Sequence, residues 1–363
     1  MNSFGMRLKL STFGESHGAG VGCVIDGLPA GLSIDMDFIS EEMRLRQGGS
    51  VFATPRKEPD IVEILSGVFE GKSTGAPLAL FIRNTAQKSG DYENLKNVFR
   101  PGHADFTYFK KYGVRDYRGG GRSSARESAA RVAAGAIAKL LLKEFNIRIG
   151  GGVLGVGGIE STRFDFSESE CLKARDSQIF ALDCTLEHAQ KEAIKNARAN
   201  DDSIGGVALI KAFGVPVGLG EPLFGKLDSQ IGAFMLGLNG VKAVEIGEGA
   251  NVSRLKGSQN NDCMNAQGFC SNHSGGVLGG ISNGEEIVVR VYFKPTPSIF
   301  LPQSTQTTGA EVVQMQLKGR HDPCIAVRGS IVAQAQLAFI LADLLLCNAT
   351  ANMQNLHAVY SHN

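Results

Sequence analysis

No tryptophan occurs in the 363 residues. The formal net charge is only +1, so no global basic surplus calls for nucleic acid or an anionic membrane. Any anion site must therefore come from local clustering. The seven cysteines (Cys23, Cys171, Cys184, Cys263, Cys270, Cys324 and Cys347) form no C-x-x-C pair and are odd in number. This speaks against a zinc site or a disulfide framework, and for small buried residues in a reducing compartment. The opening MNSFGMRLKLSTFG lacks the long apolar core of a signal peptide. No run approaches the roughly 20 apolar residues of a membrane span. The expected location is the cytoplasm, where N-x-S/T triplets such as Asn272-His273-Ser274 carry no glycosylation.

Several familiar signatures are also missing. Gly67 to Ser73 (GVFEGKS) has three residues between its glycines where a P-loop needs four, and no helix follows promptly. No G-x-G-x-x-G opens a helix after a strand, so a dinucleotide fold is not indicated. Gly14-Glu15-Ser16-His17-Gly18 matches the G-x-S-x-G elbow, but a strand (GVGCVIDG) follows it instead of a helix. A serine hydrolase stays open as an alternative of another class, which fluorophosphonate labelling of Ser16 would reveal. A non-catalytic phosphate- or flavin-binding protein is the other.

What is present begins with an ordinary globular composition, 43% hydrophobic and 20% charged. The 46 glycines stand in short runs between apolar segments, implying tight turns and close backbone approach to a ligand. Strands are expected at 7–13, 21–26, 60–70, 77–83, 205–214, 241–246 and 286–293, with a Gly-rich strand in GGGVLGVGGIE. Helices are expected at 35–46, with Asp35 as cap, and at 185–199, 226–238 and about 328–349. The clearest helix starts at Ser124, where Ser124-x-x-Glu127 fits a capping box ahead of an apolar stripe ending near Phe145. Segments 84–100, 247–275 and 301–319 read as long loops. Strands and helices mix without a βαβ period and no linker is visible, so the reading is α+β in one domain, 1–363.

Basic and hydroxyl residues gather at turns. Gly119-Gly120-Gly121-Arg122-Ser123-Ser124-Ala125-Arg126 leads into a helix, where free N–H groups and the positive dipole end favour an anion. A solvated, well-capped helix would need less. Arg100-Pro101-Gly102-His103 sets a proton carrier beside a cation, although a loop histidine bonded to backbone looks the same. Arg320-His321-Asp322-Pro323 mixes a cation, an imidazole and a carboxylate shortly before Arg328; a turn with a local ion pair is its plain reading. Lys294-Pro295-Thr296-Pro297-Ser298 is a rigid turn or a grip on phosphate or a flavin edge. Together these argue for one or two phosphorylated ligands, and they do not name a reaction.

Seven stretches in order resemble the motifs of the chorismate synthase family. They are GESHG with VGCVIDGLP, RPGHADFTYFKKYG, GGGRSSARESAARVAAGAIAK, GLNGVKAVEIGEG, NHSGGVLGGISNGE, KPTPSI and GRHDPCIAVRG. They run from about residue 7 to about residue 345. The resemblance implies a β-α-β sandwich assembled as a dimer of dimers, a homotetramer. It implies 1,4-anti elimination of phosphate from 5-enolpyruvylshikimate 3-phosphate to give chorismate. The family needs reduced FMN (FMNH2) although no net redox change occurs, and some members reduce it with NADPH.

Carried over by motif, His17 would protonate or stabilise the reduced flavin and His103 would protonate the leaving phosphate. Asp322, with Ser16, would assist removal of the ring hydrogen. Arg46, Arg100, Arg126 and Arg328 would hold the substrate's carboxylates and phosphate. Arg122, Ser123, Ser124, Asn239, Gly240, Gly279, Lys294, Pro295, Thr296, Pro297, Ser298 and Arg320 would line the flavin site. A trianionic substrate beside an anionic flavin needs several arginines. In one departure, many relatives carry another arginine soon after the position of Arg46, whereas here Gly48-Gly49-Ser50-Val51-Phe52 intervenes and the next is Arg56.

Overall fold

Two antiparallel sheets form, the first with alternating burial and the second buried along nearly all of its central strands, and apolar helices fill the space between them. The structure, a computed structural model, describes residues 2–48, 51–54, 58–85, 95–317 and 321–361. The first sheet holds β1 (Ser3–Phe4), β2 (Lys9–Gly14), β3 (Gly20–Asp26) and β4 (Val62–Ser66). After a small hairpin of β5 (Val68–Phe69) and β6 (Lys72–Ser73), β7 (Leu78–Arg83) completes it in the order β1-β2-β3-β7-β4. Val21, Cys23 and Ile25 on β3 and Leu78, Leu80 and Ile82 on β7 turn the same way and are fully buried. That period of two marks a sheet with one covered face.

The second sheet holds β8 (Arg148–Val156), β9 (Ile159–Glu160), β10 (Gly206–Phe213) and β11 (Val241–Ile246). Two short hairpins follow, β12 (Met264–Asn265) with β13 (Gly268–Phe269), and β14 (Val277–Leu278) with β15 (Ile281–Ser282). Strand β16 (Ile287–Phe293) then completes the order β11-β16-β10-β8-β9, and a last hairpin pairs β17 (Gln303–Gln306) with β18 (Val312–Met315). The helices are α1 (Met36–Arg46), α2 (Asp105–Tyr112), α3 (Ser128–Lys143), α4 (Glu168–Lys173) and α5 (Glu187–Ala199). They continue with α6 (Leu227–Leu236), α7 (Gly257–Asn260), α8 (Ile325–Asn348) and α9 (Met353–Tyr360). Helix α3 packs on β3 and β7 of the first sheet, while α8 packs on β8, β10 and β16 of the second. The two helices pack on each other, so the layers run sheet, helices, sheet.

Most of the expected elements form. Asp35 caps α1, its Oδ1 accepting the Phe38 N–H at 2.9 Å. The capping box at Ser124 does not form. Ser124 instead caps a 3-10 turn, Ala125–Glu127, and α3 begins at Ser128. The Glu127 carboxylate is held by Arg131 at 2.7 Å and lies 3.6 Å from Arg122, so local charge outcompetes the cap. The strand expected at 60–70 starts only at Val62, because Asp60 takes φ +48°. Two of the three long loops carry structure of their own: the β17–β18 hairpin in 301–319, and α7 with β12–β13 in 247–275. In the third, residues 86–94 lie outside the described residues. The apolar-run reading also needs correction. Helix α8 is long and apolar enough to cross a membrane, but it lies between the sheets with most of its residues buried.

Two contacts lock α8 in place. Its buried Asp343 accepts the N–H groups of Met6, Arg7 and Leu8 at 2.8, 2.7 and 2.7 Å, tying the start of the chain to the central layer. Gly135 of α3 meets Ala335 of α8, where an added Cβ would lie 2.3 Å from the Ala335 Cβ and 2.5 Å from its Cα. Gly135→Ala would gain about 1 kcal/mol of helix propensity. The clash is with backbone and cannot be relieved by a rotamer, so overpacking of roughly 1–3 kcal/mol should win. Urea unfolding of Gly135→Ala is expected to show a lower midpoint with an unchanged m value; an equal or higher midpoint would mean the helices separate freely.

Candidate active site

Loops from every layer converge at one edge of the sandwich. The turn between β2 and β3 carries Ser16 and His17, and the end of α1 carries Arg46. Arg100 and His103 precede α2, and Gly119 to Arg126 precede α3. Asn239 and Gly240 link α6 to β11, Lys294 to Ser298 follow β16, and Asp322 and Arg328 flank the start of α8. Most of these residues line one cavity of about 430 Å3.

Its walls hold Arg46, Arg100, Arg126, Arg328 and Lys294 against Glu58, Asp60 and Asp322, a surplus of positive charge. Asp60, 3% exposed, bridges two of the cations: Oδ2 accepts from Arg46 Nη1 at 2.9 Å, and Oδ1 accepts from Arg126 Nη1. Arg46 also donates to Ser128 Oγ at 3.1 Å, and Arg126 to Asn84 Oδ1 at 2.8 Å. Burial, then the neighbouring Arg328, push the Arg46 guanidinium down to about 9, which still leaves it charged at neutral pH. Arg100 forms a bidentate pair with Asp105, 2.8 Å at both contacts, and Arg115 joins the same carboxylate at 3.3 Å. Asp322 accepts the Thr54 N–H at 2.7 Å and Arg328 Nη1 at 2.9 Å. Arg328 Nε in turn donates to the Arg46 carbonyl at 2.7 Å. The arginines are thus fixed in place before any anion arrives.

Two of the histidines are held neutral. His103 Nδ1 lies 2.9 Å from the Pro101 carbonyl, which can only accept, so Nδ1 carries the proton. Nε2 then accepts from the Ser298 hydroxyl at 2.8 Å. Burial, then Arg100, push His103 down to about 4. His321 is pushed to about 4 by burial, then by Arg100, and its buried Nε2 has no hydrogen-bond partner among the described residues. Ser16 Oγ lies 3.0 Å from His17 Nδ1. Gly119 lets the chain pass over this pair: at φ +62°, its added Cβ would lie 2.3 Å from His17 Cε1.

Of the residues expected at the flavin and substrate sites, most meet in this one cavity. Arg122 faces a second cavity of about 360 Å3 instead, shared with Phe4, Tyr108 and Phe234, and donates to the Thr12 carbonyl at 2.9 Å. Ser123 and Asn239 line both cavities. The Asn239 amide nitrogen donates to the Ser123 carbonyl at 2.9 Å, while its buried oxygen has no hydrogen-bond partner among the described residues. Gly279 sits in the turn of the β14–β15 hairpin and Pro295 packs near Gly205, neither among the lining residues. Arg320 and Arg56 lie outside the described residues. His321, part of the basic turn before α8, lines the cavity as well, and the carboxylates Glu58, Asp60 and Asp105 extend the site beyond the sequence reading. Asp105, five residues after Arg100 at a helix start, was the only one with a local signal.

Comparison with known proteins decides the family. A sequence model of the family described as Chorismate synthase matches residues 8–346. The chain belongs to the chorismate synthase family. The chorismate synthase of Sulfurimonas denitrificans is 59% identical over 99% of this chain and 99% of its own. That of Aliarcobacter butzleri is 58% identical, covering 99% of each chain, and that of Helicobacter pylori (strain J99) is 57% identical over the whole of both. A crystal structure described as chorismate synthase superposes with a TM-score of 0.75 at 33% identity, covering 99% of this chain and 97% of that one. The β-α-β sandwich expected from the motifs is thus confirmed, and the protein is a lyase of the shikimate pathway that serves aromatic biosynthesis. The serine hydrolase alternative falls: the Ser16 turn joins two antiparallel strands, with no helix behind it. The non-catalytic alternative falls with it.

Asp60 is the residue on which the arginine geometry turns. Asp60→Asn keeps the shape, and asparagine tolerates the positive φ, but it leaves two buried guanidiniums without a counter-charge. A loss of roughly 3–5 kcal/mol is expected, partly restored by millimolar inorganic phosphate in a thermal-shift assay. A variant as stable as the parent, or one insensitive to phosphate, would show that the cluster does not need this carboxylate.

Proposed function

We propose that this cavity carries out the 1,4-anti elimination of phosphate from 5-enolpyruvylshikimate 3-phosphate, giving chorismate, with reduced FMN bound beside the substrate. The observation that carries the reading is a half-buried His103, held neutral near Arg100 inside a cavity of surplus positive charge. The residues present fit a flavin mononucleotide. The unpartnered amide oxygen of Asn239 is an acceptor for a ligand donor, and Lys294, which spends one N–H on the Gly102 carbonyl, has others to offer a phosphate. When bound, the reduced flavin supplies transient electron density that helps the allylic C–O bond break.

In this reading the residues take the roles that the family motifs imply. Arg46, Arg100, Arg126 and Arg328 neutralise the substrate's carboxylates and phosphate. His103 keeps its Nδ1 proton on Pro101 and presents Nε2. A phosphate arriving against that nitrogen raises its pKa, so Nε2 gains a proton that it returns to phosphate as it leaves. Asp322, held by Arg328, assists removal of the ring hydrogen with Ser16 as a positioning group. His17, oriented by Ser16, stabilises the reduced flavin. Arg122, Ser124, Gly240, Gly279, Pro295, Thr296, Pro297 and Arg320 complete the flavin surroundings in this reading. We further place the enzyme in the cytoplasm as a homotetramer, residues 1–363 forming one catalytic domain, with NADPH as a reductant to be tested. Leu223 and Phe224, 69% and 97% exposed, suit a face covered by another copy. A net charge of +1 favours neither nucleic acid nor membrane as partner.

Anaerobic assay of the purified enzyme with the substrate and chemically reduced FMN is expected to yield chorismate; no product would defeat the proposal. Repeating it with oxidised FMN and NADPH decides whether the enzyme reduces its own flavin. His103→Ala should lower turnover by roughly 10²-fold or more while FMN affinity changes little. In the parent, His103 starts near 4 and rises on binding, so substrate binding at neutral pH should take up a proton, read by calorimetry in buffers of different ionisation heat. His103→Ala should lose that uptake. Unchanged turnover and uptake would remove the general-acid role.

A further inference from the structure

The cysteines do not all behave as small buried residues. Cys23, Cys171 and Cys324 are buried, and burial pushes each thiol up to about 12. Cys347 is half-buried and is also pushed up by burial. Cys184, Cys263 and Cys270 are exposed. Two of these three face each other. In the β12–β13 hairpin Met264 pairs with Phe269 and Asn265 with Gly268. Continuing that register one step outward sets Cys263 opposite Cys270. The backbone follows it, since the Cys270 N–H donates to the Cys263 carbonyl at 2.8 Å.

Directly opposed residues of an antiparallel pair put their side chains on the same face. At a hydrogen-bonded position the Cα atoms stand about 5.5 Å apart, inside the roughly 4.4–6.8 Å window of a disulfide, while the Cβ atoms, about 5 Å apart, must draw together to close it, which makes the bond a readily reduced one. The flank of the hairpin is pinned as well. Asp262, next to Cys263, accepts from Ser271 Oγ and from the N–H groups of His273 and Ser274, at 2.7, 2.7 and 2.9 Å. The two residues are therefore held opposite each other by the hairpin backbone and by the Asp262 carboxylate, and both are exposed.

We propose that Cys263 and Cys270 form a dithiol–disulfide modification site, oxidised by exchange with a small disulfide. The Cys263 thiolate attacks one sulfur of oxidised glutathione, expelling one glutathione thiolate and leaving a mixed disulfide. The Cys270 thiolate then attacks the Cys263 sulfur and expels the second. The pair loses two electrons and two protons, and the disulfide reagent becomes two thiols. Cys184 has no such partner and stops at the mixed disulfide. Held at high effective concentration, the second thiol drives the pair to closure.

The test equilibrates the folded, full-length enzyme in glutathione buffers of graded ratio, traps free thiols by alkylation and maps peptides by mass spectrometry. The expected product is a Cys263–Cys270 linked peptide. It should appear at an oxidised-glutathione level about tenfold below that needed to modify Cys184. Cys263→Ser should convert Cys270 to a glutathione adduct, and Cys270→Ser should do the same for Cys263. Separate glutathione adducts on both residues of the parent would overturn the proposal. So would two free thiols at a ratio where Cys184 is already modified.

Discussion

Burying several guanidiniums around one small cavity is the constraint on which the rest of the architecture depends. Arg46, Arg100 and Arg126 are 2%, 7% and 7% exposed. Removing such a charge from water costs several kcal/mol unless partners replace the lost hydration. Asp60 does this for Arg46 and Arg126, and Asp105 does it for Arg100 and Arg115. The replacement is partial. Positive charge exceeds negative on the cavity wall, and the residual field suits the anionic ligands proposed for it.

The sandwich makes that arrangement rigid. Helices α3 and α8 pack so closely at Gly135 and Ala335 that neither can shift without the other. Each begins at the cavity, so the packed layer that forms the core also aims Arg126, Asp322 and Arg328. Asp343 extends the coupling by fastening the first strands to α8. The same field that holds the arginines keeps His103 and His321 neutral, since burial and Arg100 both oppose a further positive charge. On the proposed reading a bound phosphate would reverse that balance locally, letting His103 wait unprotonated and then act as an acid.

Local patterns carried much of the reading. Asp35 announced α1, alternation announced β3 and β7, and the Gly-rich and basic turns marked Arg100, His103, Arg126, Ser298 and Asp322 on the cavity wall, whereas Arg46, Asn239 and Gly240 came only from the family resemblance. Failures occurred where an ion pair overrode a backbone preference. Ser124 and Glu127 have the spacing of a capping box, yet Glu127 is claimed by Arg131 and Arg122. Asp60 reads as a strand start, yet its carboxylate is taken by arginines from α1 and from the turn before α3. The exposed Cys263 and Cys270, seven positions apart, carry no motif; only the hairpin register opposes them.

By itself, the sequence determined the family, the chemistry of the ligands and the types of residue that meet them, because motifs and turn composition are properties of neighbouring residues. Tertiary structure alone decided which carboxylates balance which arginines, which proton His103 keeps, and that Arg122 faces a second cavity rather than the first. Those are properties of charge and burial in space. They depend on residues brought together from both sheets and from the helices between them, and no spacing along the chain encodes them.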